Sequence, residues 1–212
     1  MQSSKIINLQ NTLCVITAEN TSPVITAMAA LSGGANMIQL RHKSAPGKTF
    51  LSWAVEIVRL CHQYGARCII NDRIDIALAS MADGVHLGQD DIPAEQARRI
   101  LGKEAIIGIS VSSVFEAEQA FNDGADYLGV GHIYPTHSKT KNTPPLGPEM
   151  ITRIVSDVDL PVIAIGGITL DKVPEIMRAR ASGVAVISAI SNSPEPTAMT
   201  RLFKNAILKC LK

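Results

Sequence analysis

The amino-acid sequence predicts a single (β/α)8 barrel, and three observations carry that expectation. Short β-rich runs alternate with longer helical stretches along the chain. Several of the runs are nearly continuous apolar segments, the pattern of parallel strands buried on both faces. Eight strands alternate with eight helical segments without an intervening linker, and right-handed βα units in that number close on themselves. An open doubly wound sheet is disfavoured by the count and by the lack of an early GxGxxG motif.

The predicted strands are Leu13–Thr17, Met37–Leu40, Cys68–Asn71, Gly84–Leu87, Ile106–Ser110, Tyr127–Ile133, Val162–Gly166 and Val184–Ser188. Helical spacing is clear in Ser52–Tyr64, where Trp53, Ile57, Leu60 and Cys61 share one face. It recurs in Ala94–Leu101, Val114–Asn122, Glu149–Ser156, Asp171–Arg180 and Thr197–Cys210. Pro93, Pro148 and Pro196 stand near helix starts, where a missing amide costs little. Arg180 occupies a position where a small residue is expected before the last strand.

Composition narrows the function. The 212 residues suit one domain, spanning 1–212, with 46% hydrophobic and 18% charged residues. The net charge is +1 and no Lys/Arg run appears, so a general nucleic-acid binder is excluded. Affinity for phosphate must come from a few placed cations. No apolar stretch reaches the roughly 20 residues of a spanning helix. Met1–Gln10 is polar and lacks a signal-peptide core, so a cytoplasmic location is expected. Cys14, Cys61, Cys68 and Cys210 are scattered without a CxxC pair and read as buried or incidental thiols.

Active sites of such barrels lie at the C-terminal strand ends. Reading the residue after each strand collects Gln39-Leu40-Arg41-His42-Lys43, Asn71-Asp72, Gly88-Gln89-Asp90-Asp91, Ser110, Gly131-His132, Gly166-Gly167 and Ser188. Chance polar residues would scatter to both ends of the barrel. Arg41 and Lys43 lie two apart and, if extended, reach one anion together. Asp72 and Asp91 follow neighbouring strands, and two carboxylates facing one spot suit Mg2+ completed by water and phosphate. Helix capping is the alternative for each, and Asp90 competes with Asp91. The glycine pair lets backbone amides approach an anion closely. The long loop after strand six, His132–Gly147, supplies Thr136, Ser138 and Lys139. Two anion sites can thus be assembled. One combines Arg41, Lys43, Lys139 and a metal; the other combines Thr136, Ser138, Gly167 and Ser188.

From Leu13 to about Ile190 the chain resembles the thiamine phosphate synthase family. The segments that carry the resemblance, in order, are IQLRHK, INDRIDIAL, DGVHLGQDD, GIS, DYLGVGHIYPTHSK, PVIAIGGI and GVAVISAI. It implies an enzyme joining a hydroxymethylpyrimidine diphosphate to a thiazole phosphate, with release of diphosphate. It implies that Gln39, Arg41, Lys43, Asn71, Ser110 and Lys139 bind the pyrimidine diphosphate, with Leu40 and His42 counted in the same run. It implies Mg2+ on Asp72 and Asp91. Thr136, His137, Ser138, Gly167, Ile187 and Ser188 would hold the thiazole phosphate. Arg41, Lys43, Ser110 and Lys139 would act on the leaving diphosphate. The expected partners are these two small molecules, with no nucleic acid or membrane; homo-oligomerisation stays open. A thiazole tautomerase shares the fold and would use a histidine after strand six, here His132, as acid/base. A non-catalytic barrel binding thiamine precursors is a further alternative. Arg41, Lys43, Asn71, Asp72, Asp91 and Lys139 together favour the synthase.

Overall fold

The structure is a computed structural model that describes residues 8–136 and 143–210. The chain runs β1 (Thr12–Ile16), α1 (Pro23–Ser32), β2 (Met37–Leu40), α2 (Gly47–Gln63), β3 (Arg67–Asn71), α3 (Ile74–Ser80), β4 (Gly84–Leu87) and α4 (Ala94–Leu101). It continues with β5 (Ile106–Val111), α5 (Val114–Asn122), β6 (Tyr127–Gly131), α6 (Pro148–Asp157), β7 (Val162–Ile165), α7 (Val173–Arg178), β8 (Gly183–Val186), α8 (Ser188–Ser191) and α9 (Pro196–Lys209). The eight strands form a closed parallel barrel in sequence order, with β1 paired to both β2 and β8. The fold is the expected (β/α)8 barrel.

Boundaries moved where periodicity says little. The second helix begins at Gly47 rather than Ser52, because its exposed first turn offers few apolar residues to a periodicity count. The segment expected as Asp171–Arg180 splits into a 3-10 turn, Leu170–Lys172, and α7. β6 ends at Gly131, two residues early, although the Ile133 and Tyr134 amides still bond to the Ile165 and Gly166 carbonyls. β8 ends at Val186, and Ser188 opens the short α8 instead of closing the strand. Among the described residues no helix is long and apolar enough to cross a membrane.

The lower rim is fastened by one turn used five times. A residue of positive φ ends the helix: Gly34, Gly65, Met81, Gly124 or Arg180, at 97°, 64°, 54°, 82° and 71°. The alanine that follows (Ala35, Ala66, Ala82, Ala125 or Ala181) donates its amide to a carbonyl five residues earlier. This is Schellman geometry, which satisfies orphan carbonyls at the helix end. It also explains why a small residue is expected at 180: the left-handed region favours glycine. In three of the five, the polar residue after the alanine also caps a neighbouring strand. Asn36 accepts from the Leu13 amide at 2.8 Å, Asp83 from Cys68 at 2.7 Å and Asp126 from Ile107 at 2.7 Å. Arg98 ties this rim together by donating to Asp126 at 2.6 Å and to the Ala105 carbonyl.

Two apolar layers result from strand alternation. Outward residues pack under the helices in the main core, which includes Leu40, Ile70, Leu87 and Val130. Inward residues, among them Met37, Ile69, Ile106, Tyr127 and Ile163, fill the barrel. Tyr127 fits there only because β5 carries Gly108, where an added Cβ would stand 2.1 Å from the tyrosine Cζ. Gly129 does the same for His86, at 2.7 Å from its Cε1.

Cys14, Cys61 and Cys68 are buried and Cys210 is exposed. Burial, aided by the nearby Cys61, pushes the Cys14 thiol up to about 12. A hydrogen bond with Cys61, together with burial, raises Cys68 well above the usual thiol range. Because the thiolate is the reactive form, one thiol per native chain is expected to react with a colorimetric disulfide reagent at neutral pH. The others should react only in denaturant, and fast modification of a second native thiol would contradict this burial. Gly108→Ala is expected to lower stability by about 3 kcal/mol or more, since a rigid backbone and a buried ring must both shift. Urea unfolding measures it.

Candidate active site

Two adjoining depressions open at the C-terminal strand ends. The larger, about 790 Å3, descends into the barrel between β1, β6, β7 and β8. The smaller, about 160 Å3, lies over β3 and β4. Asn71, His86 and Ser110 line both, so the two form one continuous site with two compartments.

The small recess is polar and holds Lys43, Asp72, Asp90 and Asp91. Neither Asp72 nor Asp91 is the N-cap residue of the helix that follows it. The N-cap residue of α3 is Arg73 and that of α4 is Pro93. Asp72 follows β3 with a φ of 63°, and its amide donates to the His86 carbonyl at 2.9 Å. Asp91 closes its own turn, with Oδ2 accepting from the Gly88 amide at 2.7 Å. Gln89, which the sequence reading did not single out, donates to the Ser110 carbonyl at 2.7 Å and joins this turn to β5. Among the described residues no group of three His, Cys, Asp or Glu side chains gathers as a metal cage. Two carboxylates beside an open polar recess nevertheless fit Mg2+, which keeps several waters and takes the rest of its octahedron from phosphate.

Arg41 and Lys43 do not share one recess. Arg41 lines the large cavity and Lys43 the small one. The Arg41 backbone is pinned by Thr17, whose hydroxyl accepts from its amide and donates to its carbonyl, both at 2.9 Å. Its guanidinium donates to Glu19 Oε1 at 3.1 Å, a cavity-lining carboxylate absent from the sequence reading. Leu40 and His42 point the other way and need correction as side-chain contacts. Leu40 is fully buried in the helix-facing core, and His42 packs on Trp53 of α2 at 5.3 Å between ring centroids. Period-two alternation sends Gln39 and Arg41 inward and their neighbours outward.

Below the shared residues lies a buried polar chain. Ser110 Oγ is 2.9 Å from His86 Nε2, and His86 Nδ1 is 2.9 Å from the Tyr127 hydroxyl. Burial raises the Tyr127 hydroxyl well above the usual tyrosine range, while a hydrogen bond from Gln39 pulls in the opposite direction. Neither His86 nor Tyr127 stands among the rim residues collected from the sequence, because both lie within strands rather than after them. Their inward register on β4 and β6, beside Gly108 and Gly129, is the signal that could have found them.

On the opposite side Thr136, Gly166, Gly167, Ile187 and Ser188 line the large cavity. Gly166 and Gly167 have φ of 100° and 64°. An added Cβ at Gly167 would lie 2.3 Å from the Pro135 carbonyl, so the β7 end is pressed against the start of the β6 loop. His132 is buried and lines the same cavity. Tyr134 anchors the loop by donating to Glu175 at 2.7 Å, with Lys172 5.3 Å from its ring. Desolvation and then the Glu175 contact raise its hydroxyl pKa above the usual range. His137, Ser138 and Lys139 lie outside the described residues.

The sequence model described as thiamine monophosphate synthase matches residues 13–190 of this chain. A thiamine-phosphate synthase from Chlorobium limicola is 54% identical over 189 residues, covering 89% of this chain and 90% of that protein. The solved thiamine phosphate pyrophosphorylase from Pyrococcus furiosus superposes with a TM-score of 0.89 at 37% identity, covering 97% of this chain and 98% of that one. Orotidine 5'-phosphate decarboxylase from Pyrococcus horikoshii, at 16% identity and a TM-score of 0.66, covers 92% of this chain and 99% of its own, and shares the fold.

Since Glu19 competes with any anion for Arg41, Glu19→Gln is expected to tighten binding of inorganic diphosphate by about two- to fivefold, the range of a partly exposed ion pair. Titration calorimetry measures this; unchanged or weaker binding would show that Arg41 does not serve the anion.

Proposed function

The chain belongs to the thiamine monophosphate synthase family, and from that premise we propose how its rim divides the reaction between two compartments. The enzyme is a thiamine-phosphate synthase, a transferase that forms a C–N bond between a pyrimidine and a thiazole phosphate. Residues 1–212 are taken as one domain serving both substrates. The observation that carries the reading is the pair of unequal recesses joined through Asn71, His86 and Ser110.

In this reading the pyrimidine lies over Gln39, Asn71 and Ser110, with its diphosphate toward Lys43 and the carboxylate recess. Arg41 approaches from the large cavity, and Lys139 belongs with these cations by its place in the β6 loop. The thiazole phosphate sits across the barrel, against the Gly167, Ile187 and Ser188 backbone and near Thr136; Ser138 is assigned to it by the family resemblance. Phosphate sites after strands seven and eight recur in this fold. Asp72 and Asp91 would hold Mg2+, whose bound charge offsets that of the leaving diphosphate.

The residues support a dissociative substitution. The electron-rich aminopyrimidine stabilises positive charge on its methylene carbon as the diphosphate departs. Negative charge grows on the leaving oxygens, and Arg41 and Lys43, with Lys139 by the family resemblance, would stabilise it there. The thiazole nitrogen then closes the C–N bond. No protein nucleophile is required, and positioning two bound partners supplies much of the rate.

Diphosphate release from the two substrates is expected to require Mg2+, with equal turnover in chelator overturning the metal assignment. Asp91→Ala should lower kcat/KM by about 100-fold or more, the several kcal/mol that a metal centre supplies. Asp90→Ala should stay near the parent rate; the reverse ranking, in a steady-state diphosphate assay, would move the metal to Asp90.

A further inference from the structure

The buried chain beneath the site sets a direction that neither Ser110 nor Gln39 can set alone. His86 bonds two hydroxyl groups at once, Tyr127 at Nδ1 and Ser110 at Nε2, each at 2.9 Å. A neutral imidazole has one N–H and one lone pair. With the ring neutral, the two contacts run in one of two senses. In the first, Ser110 donates to Nε2, Nδ1–H donates to Tyr127, and the Tyr127 proton turns toward Gln39. Ser110 is then left with only lone pairs for the site. In the second, Tyr127 donates to Nδ1, Nε2–H donates to Ser110, and the Ser110 proton is released toward the site.

The surroundings are built for this pair. Tyr127 is 2% exposed, and its ring and that of His86 pack with centroids 5.5 Å apart. Two strands give up their inward side chains to admit them, Gly108 beneath Tyr127 and Gly129 beneath His86. Tyr127 keeps its proton to donate, since burial disfavours the phenolate. In the second sense the Tyr127 oxygen can accept from the Gln39 amide N–H, the contact that lowers its pKa against burial, and the Gln39 carbonyl is left for the substrate.

We propose that His86 and Tyr127 are positioning residues that hold the imidazole as the Nε2–H tautomer, so that Ser110 presents its hydroxyl proton to an anionic oxygen of the pyrimidine diphosphate. The proposal rests on the assignment of that substrate to Ser110 and Gln39. The opposite sense would aim Ser110 lone pairs at an anion, which is repulsive. The sense proposed here also aims the Gln39 carbonyl at the pyrimidine amino group, where it stabilises positive charge as the diphosphate leaves. Both ends of the chain then favour the same step.

The tautomer can be read without catalysis. In full-length protein labelled with 15N-histidine, a long-range 1H–15N correlation reports which ring nitrogen carries the proton. The His86 signals are assigned by their loss in His86→Gln. The expected pattern is Nε2–H, with the preference weakened in Tyr127→Phe. An Nδ1–H pattern overturns the proposal. Kinetics supply the second arm. Tyr127→Phe should lower kcat by about 10-fold or more, while KM for the thiazole phosphate stays within about twofold. In a Ser110→Ala background the same change should cost less than about twofold, because the group it orients is gone. An undiminished loss in that background, in protein with a parent-like thermal midpoint, overturns the proposal. His86→Gln, which retains an N–H toward Ser110, should recover most of the activity that His86→Ala loses; equal losses count against it. If the parent protein shows Nε2–H but does not couple the two substrates, the functional reading fails while the tautomer stands. An active parent with Nδ1–H has the opposite meaning.

Discussion

Closing parallel strands into a ring leaves no free edge, and the period-two alternation then assigns each strand residue to the barrel interior or to the helix layer. Nearly everything else in this molecule follows from that constraint. It puts Leu40 under the helices and Gln39 in the site, one bond apart in the chain. It brings His86 of β4, Ser110 of β5 and Tyr127 of β6 into contact across three strands. The barrel is too narrow for three polar side chains and a full set of large apolar ones. The inward glycines of β5 and β6 are the accommodation.

The two rims divide the work. At the lower rim, helix ends, alanine turns and strand-capping carboxylates satisfy one another within the backbone, so polar groups there are consumed by structure. Asp83 and Asp126 have the chemistry of Asp72 and Asp91 but spend it on buried strand amides. At the upper rim the loops open outward, and carboxylates and cations face a polar recess and a cavity. Stability and chemistry thus draw on opposite ends of the same strands, as is general in this architecture.

Local charge, not net charge, makes an anion site here. The chain carries only +1 overall, yet Arg41 and Lys43 stand in adjoining compartments of one rim. Glu19 neutralises Arg41 at 3.1 Å and supplies a partner that an incoming anion would have to replace. The barrel alone does not dictate these choices, since the orotidine 5'-phosphate decarboxylase of Pyrococcus horikoshii shares the fold at 16% identity. Function resides in the residues placed on the strand ends.

The barrel, the strand count and most of the rim residues were legible in the sequence, because strand ends are marked locally by apolar runs breaking into polar turns. Asn71, Asp72, Asp91, Ser110, Gly167 and Ser188 could be placed on one rim from that signal alone. The repeated turn at the lower rim was also written locally, as an alanine and a polar residue at the start of five of the strands, though nothing in hydrophobic periodicity draws attention to it. Tertiary structure alone decided that Arg41 and Lys43 part into two compartments, that Glu19 meets Arg41, and that His86 joins Tyr127 to Ser110. Those contacts span 22, 41 and 24 residues of sequence. Local pattern reports which way a side chain faces; only barrel closure determines which other side chain it meets there.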